Sequence, residues 1–174
     1  IGLLESDAIR RFTVRTAADG RLHCDGRLRT TASTLGGSID LSADRWSGAE
    51  RLDALRCYEQ FAALGLAYGP RLQVLREIRV DKDACQASVA PVTESVEAVL
   101  IDAPLQSLIG LGDQQGRLML PFAIGRVELG PALATTRWVE AVRRGAVVDV
   151  VLADAHGAVV GRLEGVVLLP APTP

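Results

Sequence analysis

For acid–base or nucleophilic chemistry the sequence offers 21 carboxylates, three cysteines and two histidines. Asp102 stands among Leu100, Ile101, Ala103 and Leu105. A carboxylic acid gives up a proton near neutral pH only where burial raises its pKa, and neighbours of this kind would supply such a pocket. Gln106 follows four residues later, so on a helix its amide shares a face with the carboxyl and can orient it. The other reading of Asp102 is an N-cap, for which aspartate is a favoured residue, and position alone favours it. Tyr68 offers a hydroxyl beside Gly69-Pro70, a pair that fixes a turn; otherwise it is a core tyrosine with a satisfied hydroxyl. The two histidines read as bystanders, His23 at the end of a strand and His156 in an exposed turn. Cys24, Cys57 and Cys85 are odd in number and widely spaced, which reads as buried free thiols in a reducing compartment. There is no CxxC or HExxH pattern, so no metal site is expected.

The elements that must position these residues follow from periodicity. Residues 9–17 and 21–30 read as a hairpin turning at Ala18-Asp19-Gly20. The small-residue stretch from Thr30 to Ser38 has no periodicity and reads as part of a linker over 32–49. A helix is expected near 50–64, with Leu55, Tyr58, Phe61, Ala62 and Leu64 on its buried side and Gly65 as its C-cap. Residues 72–80 and 84–90 read as a strand pair joined at Asp81-Lys82-Asp83. A second helix over about 98–111 is apolar nearly all round and should be buried. Proline costs about 3 kcal/mol inside a helix, so Pro104 predicts that the regular helix starts near Ala103, with Asp102 close to its N-terminus. Strands then follow over about 118–128, 134–143, 146–153 and 158–169. The fold class is α+β, a buried helix wrapped by a curved antiparallel sheet. The Pro-rich tail reads as the start of an interdomain linker.

Composition narrows the function. The chain is 48% hydrophobic and 23% charged with a net charge of −2, which excludes disorder and argues against nucleic acid as a partner. No segment reaches the roughly 18 uncharged apolar residues needed to span a bilayer, and the N-terminus does not read as a signal peptide, so the expected setting is cytoplasmic and off the membrane. The sequence begins at Ile1 without methionine and is expected to be a piece of something longer.

Several stretches then line up. Cys57-Tyr58-Glu59-Gln60-Phe61 leads into Tyr68-Gly69-Pro70-Arg71-Leu72, followed by Asp102-Ala103-Pro104-Leu105-Gln106 and by Leu120-Pro121-Phe122. In this order and at about these separations they resemble the dehydratase domain of modular polyketide synthases over residues 50–170. The resemblance implies a double hot-dog fold. Residues 1–31 would be the end strands of the first half, 32–49 a linker, 50–170 the second half and 171–174 the start of the interdomain linker.

The resemblance further implies removal of water from a β-hydroxyacyl chain on the phosphopantetheine of an acyl carrier protein, giving an α,β-unsaturated thioester. Such chains serve secondary metabolism, antibiotic biosynthesis included. Asp102 would be the acid for the leaving hydroxyl, and Gln106 would orient it or hold the departing water. Tyr68, Gly69, Pro70, Leu105, Leu120, Pro121 and Phe122 would touch substrate. No directly bound cofactor and no metal are expected. The base would be a histidine of the first half, in a His-x-x-x-Gly-x-x-x-x-Pro motif that neither His23 nor His156 fits. The implied partners are the acyl carrier protein, the first half, neighbouring synthase domains and a second copy in a homodimeric parent. Glu97 and Ala98 stand where the family usually has His-Pro. The alternatives are therefore an inactive dehydratase-like structural domain, or an isomerase or cyclase on the same scaffold.

Overall fold

The computed structural model describes residues 9–30, 35–91, 96–112 and 117–171, with the side chains of 96–98 left aside. The N-terminal heptapeptide, residues 31–34 of the expected linker, the side chains of Glu97 and Ala98, and residues 172–174 of the tail lie outside that description. The chain divides into two compact units, Ile1–Thr34 and Leu35–Pro174.

The first unit holds an antiparallel hairpin of β1 (Arg10–Arg15) and β2 (Leu22–Leu28). Its turn is where the sequence predicts it. Gly20 takes φ +70°, and the Asp19 carboxylate accepts the Arg21 N–H at 3.0 Å. Phe12 lies over Gly26, where a Cβ would meet the ring at 2.6 Å. Cys24 is exposed on β2, which corrects the expectation of three buried thiols. A two-stranded ribbon has no second layer to bury its side chains.

The second unit is one seven-stranded antiparallel sheet in the order β3-β4-β5-β7-β8-β9-β6. The strands are β3 (Glu50–Asp53), β4 (Leu75–Asp81), β5 (Ala84–Val89), β6 (Met119–Leu129), β7 (Trp138–Arg144), β8 (Val147–Ala153) and β9 (Val159–Pro170). Among the described residues two α-helices complete it, α1 (Ala54–Ala63) and α2 (Val96–Ser107), the latter extended by a 3-10 turn over Leu108–Leu111. This is the α+β, helix-on-antiparallel-sheet arrangement expected from the sequence. Val99, Leu100, Ala103 and Leu108 join one core with Ile78, Cys85 and Ala87 of the early strands and Val139, Val150 and Leu152 of the later ones.

Two expectations about the helices are corrected. The second helix does not start near Ala103: α2 begins at Val96 and runs through Pro104, so Asp102 sits in the helix interior and is not its N-cap. Burial explains this. Each fully buried Leu or Val contributes roughly 1.5–3 kcal/mol, so the apolar side chains of α2 together outweigh the roughly 3 kcal/mol cost of one internal proline. Leu55, expected on the buried side of the first helix, is 68% exposed. That helix starts later than expected, after the short strand β3, and its buried stripe is Cys57 and Phe61 with half-buried Tyr58.

Residues 35–49, expected as linker, belong to the second unit and pack on the far face of the sheet. Strand alternation explains their anchorage. Cys85 and Ala87 point into the α2 core, so Gln86 between them points the other way and donates to the Asp40 carbonyl at 3.0 Å. Trp46 is 2% exposed, with the Arg45 guanidinium 4.4 Å over its ring. Ile39 donates to the Gly157 carbonyl at 2.9 Å, and Ser38 bridges Ala158. Gly157 has φ +85°, and a Cβ there would stand 2.8 Å from the Ile39 carbonyl. Gly145 also has positive φ, at +64°, but open space around it. Gly145→Ala is expected to cost only the left-handed backbone penalty of about 1–2 kcal/mol. Gly157→Ala should cost more, because it also pushes the 35–49 segment off the sheet. Equal losses of stability in urea unfolding of the two variants would contradict this reading.

Candidate active site

Local rules place α1 and its tyrosine. Asp53 caps the helix, its carboxylate accepting the Arg56 N–H at 2.9 Å. Gly65, at φ +89°, ends it in a Schellman arrangement in which Leu66 N–H reaches the Phe61 carbonyl and Gly65 N–H the Ala62 carbonyl. Between these stops, Tyr58 and Phe61 lie one turn apart on the side facing α2. Past Gly65 the chain presents Tyr68. Its backbone carbonyl accepts from the Gln73 side chain at 2.8 Å, while Pro70 opens a 3-10 turn over Pro70–Leu72. Gly69 itself has φ −70° and open space, so here the turn is set by Pro70 and Gln73.

The far end of α2 is held just as firmly. Arg143 on β7 donates to the Leu111 carbonyl at 2.7 Å, and Ser107 donates to the Pro104 carbonyl at 2.7 Å. Gly110 lets the chain press against the strands, since a Cβ there would meet Ile78 and Val80 at 3.0 Å.

These supports bring four groups together. Gln106 is fully buried, and its amide nitrogen donates to Asp102 Oδ2 at 2.6 Å and to the Leu72 carbonyl at 2.9 Å. Its amide oxygen accepts the Tyr58 hydroxyl at 2.8 Å. The Tyr58 oxygen in turn accepts the Leu75 N–H at 3.0 Å. Asp102 is half-buried. Tyr68 packs edge-on against Phe61 at 4.9 Å and Tyr58 at 5.9 Å. Burial pushes the Tyr68 hydroxyl up to about 12, and the charge of Asp102 adds to the shift. Burial likewise pushes Tyr58 up to about 12. Both phenols therefore remain proton donors far above neutral pH.

Beside this network, a cleft of about 380 Å³ is lined by Phe61, Leu64, Leu105, Leu108, Leu118 and Met119 among others. Leu105 thus lies in the cleft, one turn from Asp102. Leu120, Pro121 and Phe122 lie further along β6, where Leu120 is half-buried, Pro121 is exposed and Phe122 is 73% exposed. The sequence reading missed Tyr58 and the Leu72 carbonyl as members of the site. One signal was present: a tyrosine on a buried helical stripe must find a partner for its hydroxyl. His156 is exposed, and its backbone N–H is held by Asp154 at 2.8 Å. The His23 ring bonds the Thr16 hydroxyl within the hairpin.

Comparison with known proteins finds a family model described as the polyketide synthase dehydratase N-terminal domain, matching residues 37–172. Polyketide synthase ThaG of Burkholderia thailandensis is 30% identical over 92% of the chain, and polyketide synthase PksN of Bacillus subtilis is 28% identical over 93%. The chain spans 3% of the length of each of these relatives. Among solved structures, a trans-AT PKS dehydratase domain from Brevibacillus brevis superposes with a TM-score of 0.81 at 20% identity. That match covers 94% of this chain and 66% of the other. The dehydratase domain of RzxB from Pseudomonas fluorescens gives 0.77 at 25% identity, covering 97% and 66%.

The two tyrosines of the chain are both in this site, so tyrosine ionisation reports on it directly. Their folded pKa values are raised above the usual value of about 10. The stability they contribute is then fully present below about pH 10 and is lost as pH rises toward about 12. Absorbance titration of the native chain should show tyrosinate appearing only as the fold is lost. Ionisation of both phenols near pH 10 in the folded protein would contradict this.

Proposed function

Because the chain belongs to the polyketide synthase dehydratase family, we propose that it supplies the acid side of a dehydration on a β-hydroxyacyl thioester. The substrate chain would be carried on the phosphopantetheine arm of an acyl carrier protein. The observation that carries this reading is the Asp102–Gln106 pair, a half-buried carboxyl with one oxygen held by a fully buried amide.

The chemistry requires two proton movements. A base takes the proton from the α-carbon, and that electron pair becomes the new C=C bond. The C–O bond to the β-hydroxyl breaks, the hydroxyl takes the proton of Asp102, and water leaves. Asp102 is then a carboxylate awaiting reprotonation. Gln106 keeps Oδ2 occupied as an acceptor, so Oδ1 is the oxygen left to face the substrate hydroxyl. Tyr68, protonated at neutral pH and packed on Phe61 of the cleft wall, would donate to the substrate. The cleft lined by Phe61, Leu105, Leu108 and Met119 is apolar and suits an acyl chain. Among the described residues, Arg117 is the one acidic or basic group that lines it.

The base is assigned to a histidine of the first hot-dog half, outside the described residues. Within this proposal residues 50–170 are the second half, and the first half, neighbouring synthase domains and a second copy are the partners. The inactive-domain reading drew on the unmatched histidine motif and on Glu97 and Ala98, whose side chains lie outside the described residues. The Asp102–Gln106 bond, kept on a helix that runs through Pro104, supports the active reading. The test is Asp102→Asn in the intact parent polypeptide with a carrier-bound β-hydroxyacyl thioester. The unsaturated product, followed by mass spectrometry of the carrier, should fall at least about 100-fold, the usual scale for loss of a general acid. Undiminished product would overturn the assignment.

A further inference from the structure

We infer that Tyr58 is a positioning residue for this elimination: its hydroxyl fixes which end of the Gln106 amide faces Asp102. The inference rests on the dehydration reading of the site. The argument is one of donor and acceptor polarity. The Leu75 N–H can only donate, so the Tyr58 oxygen accepts there, at 3.0 Å. That leaves the single phenolic proton for Gln106 Oε1, at 2.8 Å. With its oxygen engaged, the Gln106 amide presents both N–H groups on its other side, where the two remaining neighbours are acceptors: the Leu72 carbonyl at 2.9 Å and Asp102 Oδ2 at 2.6 Å. Reversing the amide would set its oxygen against that carbonyl and that carboxyl, and would leave an NH2 group facing Tyr58.

The chain of bonds is therefore directional from end to end. It starts at a backbone N–H of β4, which the sheet holds rigidly, and ends at one oxygen of the proposed acid. The Leu75 N–H meets only the acceptor side of the hydroxyl, so its proton still needs a partner of its own. That proton goes to Gln106 Oε1, so the phenol and the two acceptors on the other side demand the same orientation of the amide. Gln106 is fully buried, so no solvent molecule is at hand to replace that donor. Tyr58 also keeps its proton, since burial holds its hydroxyl well above the ordinary range.

The test uses the intact parent polypeptide and a carrier-bound β-hydroxyacyl thioester. Tyr58→Phe should lower kcat about 10-fold while KM stays within about twofold, because positioning is lost and substrate contacts are kept. Gln106→Ala should do the same. The double variant should be no slower than Gln106→Ala, since Tyr58 acts only through that amide. A Tyr58→Phe enzyme with unchanged kcat, or losses that multiply in the double variant, overturns the inference. Circular dichroism and Tm establish that each variant is folded at the assay temperature. If Tyr58→Phe is not, 3-fluorotyrosine encoded at position 58 keeps the shape and both bonds but changes donor strength. It should then alter kcat with KM unchanged, and an unaltered kcat overturns the inference. Asp102→Asn separates the two levels. If it is inactive while Tyr58→Phe is fully active, only the role of Tyr58 falls. If Asp102→Asn turns over normally, the dehydration reading falls and the inference with it.

Discussion

The geometry of the site depends on one fully buried amide. Gln106 has no water to turn to, so each of its polar atoms must find a protein partner or cost on the order of 1–3 kcal/mol. Its partners come from three different places: Tyr58 on α1, the Leu72 carbonyl in the loop before β4, and Asp102 one turn back on α2. Satisfying this single side chain fixes the approach of α1 to α2 and the path of the loop that carries Tyr68. The aromatic contacts among Tyr58, Phe61 and Tyr68 then fill the remaining space. A polar group that must be paired specifies position more narrowly than apolar packing does, because hydrogen bonds weaken quickly outside a small range of distance and angle.

The rest of the second unit is arranged around holding α2 still. The helix is core on nearly every side, and its far end is tied to β7 through Arg143. Its proline is accommodated because burial dominates local propensity at this position. The same dominance makes Asp102 an interior residue of a rigid helix. A carboxyl in that setting is more closely fixed than one at a fraying helix end.

Much of this was legible in the sequence, for local reasons. Strands β7, β8 and β9 are long apolar-rich runs separated by Arg144-Gly145 and by Asp154 through Gly157, so their positions could be read within a few residues. The Asp102–Gln106 contact could be read because helical neighbours four apart must share a face. What could not be read was set by distant residues. Tyr58 meets Gln106 across 48 positions, and no periodicity carries that information. The segment over 35–49 looked like linker because its anchors, Gln86, Gly157 and Ala158, come from strands far along the chain. The proline rule misplaced the start of α2 because it weighs one residue, whereas burial sums over the whole helix. Leu55 and Cys24 were misread by treating hydrophobic character as burial, which holds for a core stripe but not for each apolar residue.

The sheet order also bears on how the chain assembles as it is made. Strand β6 is synthesised before β7, β8 and β9, yet its one neighbour in the sheet is β9, the last of them. Its eleven residues pair with neither β7 nor β8, so its ladder can close only once β9 has been made. A long waiting strand invites pairing with the wrong chain. This one carries Pro121, which has no N–H to offer, and a register shift between Pro121 and Ala123, both of which spoil a foreign ladder.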